Sequence, residues 1–83
     1  MRATEELGYT WDDIRSKSRV HSLVDIKTCI CKYLYRNNWT LQQIANELNM
    51  HHASVIHHKK KFDDLLPIDR EIQIIWRTIN QTL

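Results

Sequence analysis

Apolar residues recur along this chain at spacings of three and four, the period of a helix with one buried face. Leu23, Ile26, Ile30, Tyr33 and Leu34 form one such stripe, and Leu41, Ile44, Ala45 and Leu48 form a second. Val55, Phe62 and Leu65 or Leu66 make a third, and Ile72, Ile75, Trp76 and Ile79 a fourth. The breaks between stripes carry helix punctuation. Thr40 followed three residues on by Gln43 is a capping box, and Trp39 with Ile44 occupies the positions of a hydrophobic staple. Asn37-Asn38 stops the first long stripe, Asn49 supplies a residue tolerant of left-handed backbone, Pro67 closes a helix over 51–66, and Asp69 caps the last. Ser22 with Asp25 is expected to start the first long helix. Ahead of it, a short helix over residues 1–8 would end at Gly8, Thr10 would cap a second short one with Asp12 and Asp13 in its first turn, and residues 15–19 read as a loop. The pattern predicts an all-α, compact bundle of five to six helices forming one domain over residues 1–83.

Composition narrows this further. One Gly and one Pro argue against a turn-rich β fold. An 83-residue chain buries only about 60–65% of its unfolded surface, leaving no room for a core plus a deep, supported enzyme cleft. No paired carboxylates, nucleophile–base pair or glycine-rich phosphate loop can be read, so a non-enzyme without cofactor is expected. Cys29 and Cys31, two apart, point to different helix faces and cannot bridge each other. His51, His52, His57 and His58 include no i, i+4 pair, so no metal site is expected. No apolar run has signal-peptide or membrane-spanning length, which leads us to expect a cytoplasmic protein, nucleoid-associated if DNA-bound.

The second and third long stripes, about 40–48 and 51–66, carry a helix-turn-helix pattern. Counted from Leu41, apolar residues fall at the fourth, eighth and fifteenth positions (Ile44, Leu48, Val55), a small one at the fifth (Ala45) and a turn former at the ninth (Asn49). The small residue lets two helices cross closely, and the apolar trio pins the second helix so that its first residues project outward. Charge agrees with a nucleic-acid role. The net charge is only +2, yet residues 15–61 carry nine Lys/Arg against Asp25 and Glu47, and both ends of the chain are acidic.

His51, His52, Ala53 and Ser54 at the start of the second helix suit base-edge contacts, Ala53 against a thymine methyl. His57 and Lys60 further along, and Thr40 and Gln42 on the preceding helix, suit phosphates. The stretch His52-Ala-Ser-Val-Ile-His57 resembles the His-Thr-Thr-Val-x-His signature of domain IV of DnaA, the bacterial replication initiator. Ser16-Lys17-Ser18-Arg19 resembles that family's basic loop, Leu23-Val24 with Lys27 its Ile-Val-x-x-Arg-Gln segment, and Thr40-Leu41-x-x-Ile44-Ala45 its Ser-Leu-x-x-Ile-Gly. The resemblance implies a Trp-repressor-like helix-turn-helix in a bacterial or phage protein binding double-stranded DNA, in replication initiation or transcription control. It places Lys17, Ser18 and Arg19 in the basic minor-groove loop, His52, Ala53 and Ser54 in the major groove, and Lys27, Thr40 and Leu41 near phosphates. The chain departs from the family before its His, where Asn49-Met50-His51 lacks the acidic base-reader, and at Ala53 and Lys27-Thr28. The competing reading is a protein-interaction module on a helix-turn-helix scaffold, docking a partner through the last helix near Trp76 and Ile72.

Overall fold

A computed structural model describes residues 7–16 and 21–82, His21 and Thr82 by backbone alone. Five helices follow in order: α1 (Trp11–Arg15), α2 (His21–Arg36), α3 (Leu41–Glu47), α4 (His52–Leu65) and α5 (Arg70–Thr82), with no strand among the described residues. The all-α expectation holds. Of the short helix expected over residues 1–8, the first six lie outside the described residues, and Gly8 has a left-handed φ of 89°. A side chain there would meet nothing within 4 Å, so backbone conformation rather than space favours glycine.

The bundle is built around α2, which packs against α4 and α5 most extensively and against α1 and α3 as well. Its apolar stripe is buried as expected at Leu23, Ile26, Ile30 and Leu34. So is everything from Asp25 through Cys31, which encloses about two helical turns on all sides. The single-stripe expectation therefore understates the burial of α2. The helix also begins at His21, so Ser22 lies inside its first turn rather than before it. Cys29 and Cys31 are free thiols on opposite faces, both buried, and burial pushes each up to about 12. They are protonated and inert at neutral pH.

Polar groups drawn into this centre find partners. The Thr28 hydroxyl donates to the Val24 carbonyl (2.9 Å) and lies 2.8 Å from His58 Nδ1 of α4. With its proton committed to Val24, Thr28 Oγ1 accepts from His58, which fixes the Nδ1–H tautomer. Lys27 Nζ donates to the carbonyl of Ser16 at the end of α1. No buried side-chain nitrogen or oxygen among the described residues lacks a partner.

Two asparagines, one on each side of α3, end α2 and α3. Asn38 and Asn49 hold left-handed φ values of 70° and 54°. Behind Asn38, Trp39 N–H donates to the Leu34 carbonyl, and behind Asn49, Met50 N–H donates to the Ala45 carbonyl. In each case the asparagine's own N–H reaches back three residues, to Tyr35 and to Asn46. Both are Schellman turns with Asn in the position usually held by Gly. Between them the expected capping box forms: Gln43 N–H donates to Thr40 Oγ1 (3.1 Å), and Thr40 N–H donates to Gln43 Oε1 (2.9 Å). Asp69 caps α5 through Ile72 N–H at 3.1 Å. We expect Asn49→Ala to lower the unfolding free energy by roughly 1 kcal/mol, while Asn49→Gly leaves it near wild type; urea midpoints at neutral pH measure both.

Candidate nucleic-acid interface

α3 and α4 pack against each other across a turn of four residues' span, Leu48 to His51. Ile44, Ala45, Leu48 and Val55 are all buried, so the apolar positions of the expected helix-turn-helix do hold one helix on the other. The turn is also tied to α1, since the Asn49 side-chain amide donates to the Arg15 carbonyl at 3.4 Å. Ser16, the last described residue before the basic segment 17–20, is thus held beside both the turn and α2. Lys17, Ser18 and Arg19 themselves lie outside the described residues.

The inner face of α4 is set by buried Val55 and Phe62 and half-buried His58 and Leu65. At 100° per residue the opposite face collects Ala53, Ile56, His57, Lys60 and Asp64 in one arc, and all five are exposed. His52 is exposed at its edge, and Ser54 is half-buried. His51 caps the helix: its Nδ1 accepts from Ala53 N–H at 3.2 Å, so the neutral ring carries its proton on Nε2. The rings of His51 and His52 lie with centroids 4.6 Å apart.

The three lysines that follow separate by helix face. Lys60 is exposed on the arc, Lys61 is half-buried, and the Lys59 ammonium sits 3.2 Å from the centroid of the Tyr35 ring on α2. Asp63, at the far end, pairs with Lys32 of α2 at 2.9 Å. On α3, Thr40 and Gln42 are exposed and Leu41 is half-buried; the Gln42 amide donates to Asn46 Oδ1 at 2.9 Å.

Lys27 sits differently from the phosphate-facing position expected of it. It is 8% exposed, its ammonium is engaged with Ser16, and desolvation pulls it below the usual lysine range. It serves as a strut between α1 and α2. Ile72, named as part of a docking patch, is fully buried, and Trp76 is half-buried against Phe62. Among the described residues the exposed large apolar side chains are instead Tyr35, Ile56, Ile68 and Ile74. Ile56 was passed over by charge-led reasoning, although a helical wheel drawn from Ala53 would have placed it on the outer arc.

A family whose description reads "Putative ATPase subunit of terminase (gpP-like)" matches residues 30–75, more than half of the chain. The chain belongs to this gpP-like terminase family. The matched span runs from the middle of α2 through the helix-turn-helix into α5, and it supports DNA binding in the broad sense. It does not single out DnaA or replication initiation. No curated protein and no solved structure matches the chain significantly. Among the described residues of this gpP-like chain, no group of His, Cys, Asp or Glu is arranged to hold a metal ion, and no helix is long and apolar enough to cross a membrane.

His58 anchors the outer arc from below, and its chemistry makes that anchor acid-sensitive. Burial, with lesser contributions from Lys61, His57 and Lys27, holds the imidazole down to about 4. Because the unfolded chain takes up this proton near the ordinary value of about 6.5, the stability the neutral ring confers is complete above pH 6.5 and is lost as pH falls from 6.5 toward 4. Unfolding free energy measured by urea titration across that window should fall more steeply for wild type than for His58→Gln. On the outer arc, Lys60→Ala should weaken binding about equally for all duplex sequences and reduce the slope of log K against log salt by about 1.

Proposed function

We propose that this domain binds double-stranded DNA with a sequence preference, laying α4 in the major groove as the address-reading part of a phage DNA-packaging terminase. The observation that carries the reading is the match to the gpP-like terminase family across residues 30–75, which frames a helix-turn-helix whose outward arc is exposed. Ala53 on that arc, His52 at its edge, half-buried Ser54 beside it and the His51 Nε2–H read base edges. His57 and Lys60, together with Thr40, Leu41 and Gln42 at the start of α3, meet phosphates, and Lys17, Ser18 and Arg19 reach the adjacent minor groove. Double-stranded DNA is the partner, and a cytoplasmic, nucleoid-associated location goes with it.

The domain does not itself hydrolyse ATP in this proposal. A phosphate-binding loop of the G-x-x-x-x-G-K-[ST] type needs two glycines, and the chain has one. Action at a replication origin is the finer alternative, supported by the His52-x-x-Val55-x-His57 resemblance to DnaA domain IV. A protein partner on the last helix is supported by Ile74, 48% exposed there.

Fluorescence-anisotropy titrations with a random-sequence duplex, a duplex carrying a DnaA box and a pool enriched for binders, each at low and near-physiological salt, test the reading. We expect salt-sensitive binding to all three, tightest to the enriched pool. His52→Ala with Ser54→Ala should reduce the discrimination between sequences, and Lys17→Ala with Arg19→Ala should weaken binding to all three. Tightest binding to the DnaA box would favour the replication reading, and absence of binding at low salt would overturn DNA binding altogether.

A further inference from the structure

Ile56 is 49% exposed on the arc that the proposed function turns toward DNA. Single exposed apolar residues are ordinary. Ile56 is set apart by its company: Ala53 lies one turn earlier on the same arc, and exposed His57 and Lys60 flank it. The helix does not push Ile56 out for lack of inward-facing apolar side chains elsewhere, since Val55, Phe62 and Leu65 already fill its inner face. An aliphatic side chain offers a base edge no hydrogen bond. In the major groove the one apolar group it can meet is the C5-methyl of thymine.

We propose that Ile56 is a specificity-determining residue that, with Ala53, packs on the C5-methyl groups of two neighbouring thymines. This rests on the reading of α4 as the DNA-facing helix. Three residues along a helix advance about 4.5 Å, close enough to the roughly 3.4 Å between successive nucleotides of one strand for adjacent thymines to meet both side chains. Lys60 on the arc draws a phosphate in beside this apolar pair, and the acids bound the contact at its far end. Asp64 is exposed on the arc one turn beyond Lys60, and Asp63 beside it is held by Lys32. The contact is thereby confined to the first nine of the fourteen residues of α4, from His52 to Lys60.

The test takes the tightest duplex selected from a random-sequence pool and replaces each thymine singly by deoxyuridine, which removes only the methyl group. We expect wild-type affinity to fall about fourfold, the worth of one buried methyl-sized group, at each of two adjacent positions. At one of these, Ile56→Ala should bind thymine and uracil duplexes equally, while Lys60→Ala should keep the wild-type discrimination. Ile56 is exposed, and circular dichroism should show the variant folded. Sequence-preferring binding with no deoxyuridine response, or with the same response in Ile56→Ala, would overturn the inference and leave the DNA-binding reading standing. Loss of salt-sensitive DNA binding in wild type would overturn both.

Discussion

The middle of α2 is enclosed on all sides, and the rest of the fold follows from what that enclosure demands. A helix that packs on four others can keep no wet face through its central turns, so Asp25, Lys27 and Thr28 go inside with the apolar residues. A buried polar group without a partner would cost on the order of 1–3 kcal/mol, and each of these three is engaged. The partners also fix neighbouring elements. Lys27 ties down the end of α1, and Thr28 orients His58, which seats α4. α4 is therefore positioned by a polar contact at the core as well as by Val55 and Phe62.

This enclosure explains which parts of the fold were legible in the sequence. Helix starts and stops were written in local chemistry: Thr40 with Gln43, Asp69 ahead of Ile72, and Asn49 in the left-handed region all do what their side chains favour within a few residues. The start of α2 was less legible, because Ser22 has the chemistry of a cap and yet lies inside the helix. The depth of α2 could not be read at all from periodicity. A polar residue between apolar ones marks a solvated face in a peripheral helix and an internal hydrogen bond in a central one. Sequence spacing is the same in both cases, and only the number of neighbouring helices decides between them.

The candidate site divides along the same line. Ala53, His57 and Lys60 could be placed outward from spacing alone, since they stand opposite Val55 and Phe62 on one helix. His51 acquires its role as a cap from the backbone turn, which also settles which ring nitrogen keeps the proton. Lys27 was assigned a phosphate through a resemblance and turned out to brace the bundle, a difference set by tertiary packing. Ile56 was missed for the opposite reason: a search for charge and hydrogen-bonding groups gives no weight to an aliphatic side chain. In a groove whose thymines carry methyl groups, that omission removes one of the ways sequence is told apart.

The distribution of cations then bears on how such a domain can act. Within residues 15–61 the basic side chains are not equally available: Lys27 is spent on Ser16, Lys32 on Asp63 and Lys59 on Tyr35. What remains on the arc of α4 is Lys60, so α4 by itself makes a thin electrostatic contact with a duplex, and the rest falls to Lys17 and Arg19 in the proposed minor-groove segment. Since phosphate neutralisation supplies most non-specific affinity, a thin contact favours discrimination over retention: base-edge and methyl contacts make up a larger share of the total. A single helix-turn-helix of this kind also buries only a modest surface. In the packaging role proposed above, a reader with these properties would mark a sequence briefly and rely on other parts of a larger assembly to hold the DNA.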